Sequence, residues 1–134
     1  MDHAEALNRA ADIIEDQGWA TGDRGTRVEF GPRCALGAIS QAVGWRAVPS
    51  GNGGEMHYAT YLAHEAPPTA VAFARYCMEK QGNPWDEVSE PAVAMSYAWS
   101  FNDDAEGAHE VIAELRACAL IEAAKAEVEE TTTA

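Results

Sequence analysis

The sequence predicts an α+β domain that is dominated by helices, with about six α-helices and one small two-stranded β-hairpin. Over most of the chain, apolar residues recur every three or four positions, which is the spacing of one helix face. One short stretch, residues 26–30, alternates instead, as a half-buried strand does. The length of 134 residues and the hydrophobic content of 47% fit a single domain with its own core.

The first helix is predicted over residues 3–17, where apolar side chains share one side and charged side chains the other. Gly18 follows the last periodic residue and suits the left-handed conformation that commonly ends a helix. We expect Trp19 to fold back onto this helix as a core anchor, because an indole buries a large apolar area.

A hairpin is predicted next, between residues 19–21 and residues 26–30. Gly22 and Gly25 flank an Asp-Arg pair between them, which is typical of a turn. Gly31-Pro32 would end the second strand. A two-stranded ribbon is unstable alone, so we expect it to lie on helices.

The following helix is predicted to begin at Arg33 or Cys34 and to end near Val43, before Gly44. It carries Gly37 in its interior, where glycine costs roughly 1 kcal/mol relative to alanine. The sequence therefore predicts that another backbone lies close to this helix at Gly37.

The rest of the chain is predicted to be a loop, several helices and a tail. Asp103 and Glu106 have the spacing of a capping box, which predicts the start of the last helix. The predicted elements are a loop at 45–53, helices at 55–65, 69–82, from 84, at 92–101 and from 103 to about 124, and a flexible acidic tail at 125–134.

Composition excludes several classes of function. The net charge is −13, from 22 acidic and 9 basic residues, so the surface should repel nucleic acid. No apolar run approaches the ~20 residues that span a bilayer, and the polar, acidic first residues do not resemble a secretory signal. Three widely spaced cysteines predict reduced thiols rather than a disulfide framework or a zinc site. We expect a cytoplasmic protein without a cofactor or metal.

Three landmarks in the chain are together similar to a known family. They are Gly18-Trp19 after an Ala-Ala-Asp-Ile-Ile helix, Cys34-Ala-Leu-Gly-Ala-Ile39, and Phe101-Asn102-Asp103 before Glu110-Val111-Ile112. They resemble a domain-of-unknown-function family of small actinobacterial and phage proteins. The likeness covers residues 5–44 and 97–119. We expect residues 1–44 and 97–124 to form a common core within a single domain and residues 45–96 to be a helical insertion. In that family a tryptophan often precedes Asn-Asp, whereas here Trp99 lies three positions earlier. The resemblance implies a bacterial or phage origin and transfers no catalytic residue.

One candidate catalytic group is Cys34. A helix start lowers a thiol pKa, since its unpaired N–H groups stabilise the thiolate. His57 or His64 could then act as the base, and Asn102 or Asp103 could orient it. A small side chain packed against a neighbouring helix is the better explanation of Cys34.

Acidic residues offer the other candidate site. Asp103, Asp104 and Glu106 could bind a cation or a basic partner, although helix capping also explains them. The function we expect is that of a non-enzymatic, acidic accessory protein that binds a protein partner. The charge favours a basic, nucleic-acid-binding surface on that partner. The alternative is a cysteine-dependent hydrolase or transferase centred on Cys34.

Overall fold

A computed structural model describes residues 1–49, 54–58, 66–83 and 91–133. These residues form five α-helices, a 3-10 turn and one antiparallel pair of strands. The helices are α1 (His3–Gln17), α2 (Ala35–Ala42), α3 (Pro68–Lys80), α4 (Pro91–Asp104) and α5 (Ala108–Thr133). The 3-10 turn covers Gly22–Thr26, and the strands are β1 (Ala47–Pro49) and β2 (Met56–Tyr58). The predominantly helical α+β class is confirmed, with five helices in the described residues rather than about six.

The core lies between the helices, and α1 is central to it. This helix packs along α5 on one side and against α2 on another, while α3 packs on α4. The largest fully buried apolar side chains come from four of the five helices: Leu7, Ile14, Leu36, Ile39, Phe73, Val111 and Leu115. The predicted apolar faces of the first, second and last helices are therefore core faces.

The ends of α1 follow from local chemistry. Asp2 precedes the helix, and its carboxylate accepts a hydrogen bond of 2.8 Å from the backbone N–H of Glu5. Gly18 ends the helix with a φ of 96°, and its N–H donates to the carbonyl of Ile14. The predicted boundaries of this helix are confirmed.

The predicted hairpin is wrong in its position. Residues 22–26 form the 3-10 turn, and the backbone of Trp19 bridges in parallel with Arg33, just before α2. The hairpin consists instead of β1 and β2, with Val48 opposite His57. This places strands where a loop and the start of a helix were predicted. The remainder of that predicted helix, and the one predicted from residue 84, lie outside the described residues.

The alternating segment 26–30 takes part in pairing with a distant strand. The N–H of Val28 donates to the carbonyl of Met56 over 2.9 Å, and Arg27 bridges antiparallel with His57. The alternation therefore reflects a strand-like contact with β2, and its partner lies far along the chain rather than across the nearest turn.

The close approach predicted at Gly37 is confirmed. A Cβ atom there would lie 1.9 Å from the carbonyl oxygen of Gly25, which no side chain can do. The neighbouring backbone belongs to the 3-10 turn. Gly25 is equally constrained, because its own Cβ would lie 2.3 Å from the backbone nitrogen of Cys34. Two glycines thus allow the turn to lie directly on the start of α2.

The predicted start of the last helix is also wrong. Asp103 lies in the last turn of α4, which continues to Asp104, and α5 begins only at Ala108. At the start of α5, the carboxylate of Glu110 accepts a hydrogen bond from the N–H of Glu106 over 3.0 Å. At its other end, α5 reaches Thr133, beyond the predicted end near residue 124.

Candidate functional site

Asn102 is the centre of a buried hydrogen-bond network. Its side chain is 1% exposed, and its Oδ1 accepts hydrogen bonds from the Trp19 indole N–H (3.1 Å) and from the Ala35 backbone N–H (2.9 Å). Its Nδ2 donates to the carbonyl of Ala20 over 3.1 Å. An amide suits this position because it accepts on one side and donates on the other.

The Asn102 network joins segments that are distant in the sequence. It ties the end of α4 to the segment after α1 and to the first residue of α2. Asp103 extends the network, since its Oδ1 accepts a hydrogen bond from the N–H of Gly22 over 2.9 Å. Asn102 and Asp103 therefore hold the 3-10 turn and α2 in place, which is a structural role.

The acidic candidates do not converge on a common site. Asp103 is engaged with the turn, while Asp104 and Glu106 are exposed, the former at the end of α4 and the latter in the connection to α5. Within the described part of the chain, no group of three or more histidine, cysteine or acidic side chains could hold a metal ion.

Cys34 lies at the helix start that the sequence predicts, but it is fully buried. Its Sγ accepts a hydrogen bond of 3.3 Å from the N–H of Gly37, so the thiol caps α2. Burial raises the pKa of Cys34 to about 11, and the Gly37 N–H only partly opposes this shift. A thiol with this pKa is protonated near neutral pH, the reverse of what a cysteine nucleophile needs.

His57 is close in the fold to the Cys34 segment, but it is held by other groups. It is 2% exposed, and its Nδ1 is hydrogen-bonded to Thr26 Oγ1 over 2.9 Å. Its Nε2 lies 3.8 Å from a carboxylate oxygen of Glu55. This Thr-His-Glu arrangement is buried at Thr26, so no substrate reaches the hydroxyl. His64, the other candidate base, lies outside the described residues.

Arg33 is a buried cation that the sequence analysis did not single out. It is 4% exposed, its guanidinium donates to the carbonyls of Arg27 and Val28, and its Nε donates to Gln41. Burial lowers its pKa, and the ring of Tyr58 lies 5.6 Å from its central carbon. No local pattern predicts this role, because the carbonyls belong to the irregular segment before α2.

A second polar cluster lies between α3 and α5. The Tyr76 hydroxyl donates to Glu114 over 2.6 Å, and Lys80 pairs with the same carboxylate. Burial, and then the bond to Glu114, raise the pKa of Tyr76. Burial by itself would raise the pKa of Glu114, but the hydrogen bonds from Lys80 and Tyr76 lower this pKa overall. These groups, with Phe101, border a shallow cavity of about 230 Å³. All three side chains are satisfied by one another, so this cluster fastens α3 to α5.

Three of the six exposed large apolar side chains among the described residues lie on α5. This helix buries Val111, Leu115, Cys118 and Ala119, yet it also exposes large apolar side chains. Leu120 is 74% exposed, Val128 65% and Ile121 44%. Large aliphatic groups in such number on one exposed helix are typical of an interaction surface.

Comparison with known proteins places the chain in a family without assigning an activity. Among the described residues, no helix has the length and apolar character needed to cross a membrane. No curated protein and no solved structure matches the chain. The sequence profile of a Family of unknown function (DUF6197) matches residues 1–120, which confirms the expected resemblance to an uncharacterised family. The chain therefore belongs to the Family of unknown function DUF6197.

Proposed function

We propose that this chain is a non-enzymatic accessory protein, encoded by a phage or an actinobacterium, that binds a protein partner with a basic surface in the cytoplasm of a bacterial host. The observation that carries the proposal is the net charge of −13 on 134 residues. Such a charge attracts a basic surface over distances of several ångströms and speeds the encounter. It equally repels nucleic acid and anionic lipid.

A partner that itself binds nucleic acid fits this charge best. The basic surface of such a protein is complementary to a dense array of carboxylates, as it is to phosphates. On this chain, exposed acids extend over several elements, among them Glu5 and Glu15 on α1 and Glu129 and Glu130 on α5. The proposed binding is therefore electrostatic at long range and weakens with salt.

The alternative function, a cysteine-dependent hydrolase or transferase, has little physical support. Its nucleophile, Cys34, is fully buried with a raised pKa, and its described candidate base, His57, is bonded to Thr26. Asn102, the candidate orienting group, uses its amide on Trp19, Ala35 and Ala20. Each group of the supposed trio is thus occupied by a structural bond.

Retention of host proteins on the immobilised chain tests the proposed function. We expect basic proteins to be retained at low salt and released at high salt, with identification by mass spectrometry. A variant with Glu127, Glu129 and Glu130 replaced by glutamine should retain less. Retention of no protein at either ionic strength, or of proteins without a basic bias, would contradict the proposal.

A further inference from the structure

The helix α5 carries buried apolar residues on one side and exposed apolar residues on another. Each residue turns a helix by about 100°, so side chains three and four positions apart share a side. On the side opposite the buried residues lies a continuous apolar stripe, which we name the outer face: Ala113, Ala117, Leu120, Ile121, Ala124 and Val128.

The outer face is separate from the contacts that α5 makes within the domain. Beyond Ala119, the inward side of α5 borders a groove of about 650 Å³ beside the starts of α1 and α3, lined by Glu122, Lys125 and Ala126 among others. Leu120 and Val128 do not border this groove. The exposure of the outer face is therefore not a consequence of an incomplete core beneath it.

Acidic groups dominate the charge along α5. Its acidic residues are Glu110, Glu114, Glu122, Glu127, Glu129 and Glu130, whereas its basic residues are Arg116 and Lys125. Arg116 already pairs with Asp12 (2.9 Å) and Glu15 (3.3 Å) on α1. Lys125 lies 3.8 Å from Glu122. Glu122 and Glu129 line the groove on the inward side, and Glu114 pairs with Lys80 of α3. Glu110 and Glu127 follow or precede members of the outer face by three residues and so lie beside it. These two acids, with the net charge of −13, make the potential around the outer face negative.

We propose that the outer face of α5 binds an amphipathic helix of the partner protein, one with aliphatic side chains along one side and lysine or arginine beside them. This inference rests on the proposed function and names its site. An apolar stripe of this length matches a helix laid along it, which contacts at every third or fourth residue. The acidic border selects a basic helix through charge complementarity.

The same charges disfavour a second copy of this chain as the occupant. Two chains would each bring a net charge of −13, and two α5 helices would place acidic borders side by side. The family profile ends at residue 120, so Ile121, Ala124 and Val128 lie beyond the matched region. The outer face thus extends over a part of α5 that the family match does not include.

A synthetic peptide provides the probe. It is a labelled amphipathic peptide of about 18 residues, five helical turns, with leucines at helical spacing on one side and lysines on the other. Binding to the full chain is followed by fluorescence anisotropy at low and high salt. Two further peptides serve as matched probes, one with glutamate in place of lysine and one with serine in place of leucine.

Two protein variants locate the binding site. The double variant Leu120→Ser with Ile121→Ser removes the centre of the outer face, and Val93→Ser removes an exposed aliphatic group (48% exposed) from α4. We expect the lysine–leucine peptide to bind roughly tenfold or more weakly to the double variant and unchanged to Val93→Ser. Circular dichroism should show the same helix content in all three proteins, because the replaced side chains are exposed.

The outcomes separate this site from the function on which it rests. If the lysine–leucine peptide binds the double variant as tightly as the wild type, the outer face is not the binding site. The proposed binding of a basic partner would then still stand. If the glutamate peptide binds equally well, both the site and the proposed function are overturned. A wild-type dimer in sedimentation velocity that the double variant abolishes would identify a second copy as the occupant and refute the inference.

Discussion

Replacing Asn102 by alanine is the sharpest test of how this fold is held together. The substitution removes the acceptor of the Trp19 indole and of the Ala35 N–H, and the donor to the carbonyl of Ala20. Asn102 is 1% exposed and Ala35 is fully buried, so bulk water has no ready access to the Ala35 N–H once its partner is removed. The change therefore leaves an unsatisfied polar group inside the protein rather than a harmless gap.

The magnitude follows from counting those groups. An unsatisfied buried donor costs about 1–3 kcal/mol, and the fully buried N–H of Ala35 loses its partner. The Trp19 indole and the Ala20 carbonyl belong to half-buried residues and can turn to water, so each adds less. The expected loss is about 2–5 kcal/mol, a large part of the roughly 5–15 kcal/mol by which a domain of this kind is stable.

Urea unfolding followed by tryptophan fluorescence measures this loss. Asn8→Ala is the matched control, since Asn8 is exposed on α1 and its replacement should change stability by less than about 0.5 kcal/mol. Trp19→Phe should fall between the two, because it removes one of the three bonds and leaves Asn102 in place. An Asn102→Ala protein as stable as Asn8→Ala would refute the structural role of the network.

Three further predictions concern the start of α2. Gly37→Ala should lower the free energy of unfolding by about 2 kcal/mol or more despite alanine's better helix propensity, because its Cβ would meet a carbonyl oxygen at 1.9 Å. Gly31→Ala is the control, since no atom lies within 4 Å of a Cβ there. A Gly37→Ala protein more stable than the wild type would contradict the packing. The pKa of Cys34 rises from 9.0 to about 11 on folding, so its contribution to stability is present below pH 9 and is lost as the pH rises through 11. Urea unfolding over this range should show a loss of about 2–3 kcal/mol that Cys34→Ser lacks, and identical pH profiles would disprove it. Arg33→Lys should lower the free energy of unfolding by about 2 kcal/mol, because one ammonium cannot reproduce the three hydrogen bonds of the buried guanidinium. Arg9→Lys, at an exposed position, should change it hardly at all. Equal unfolding midpoints for the two variants would count against the buried role of Arg33.

Much of the helical framework could be predicted because helix signals are local. Spacing of apolar residues and the cap at Gly18 place α1 within the chain, and Gly37 correctly indicates a close backbone. Such signals act within a few residues of the sequence. The partner of that close contact could not be predicted, since it depends on where the 3-10 turn lies in space.

The elements that were wrong are those set by distant partners. The hairpin was expected across the nearest turn, yet Val28 pairs with Met56 and Trp19 with Arg33. Asp103 has the local pattern of a helix cap, but its carboxylate binds the N–H of Gly22, 81 residues away, at the end of the preceding helix. A tertiary hydrogen bond thus replaces a local one of similar strength, and no pattern within the segment reveals it.

Cys34 shows the same limit for a candidate site. Its place at a helix start was predicted correctly, and the Gly37 N–H does act on its sulfur as the argument required. Burial has the larger effect and reverses the sign of the pKa shift. Burial depends on what packs above the residue, which its position at a helix start does not determine.

The residues that carry the family likeness make the contacts that hold the fold together. Trp19 and Asn102 bind each other, Gly37 admits the turn, Cys34 caps α2, and Asp103 holds Gly22. Cys34, Gly37 and Asn102 are also buried, so they cannot meet a partner. Recognition then uses surface groups, and three of the exposed large apolar side chains in the described residues, Leu120, Ile121 and Val128, lie on the outer face of α5. Because this helix packs on α1 through its other side, a partner could bind it without disturbing the network that the motif builds.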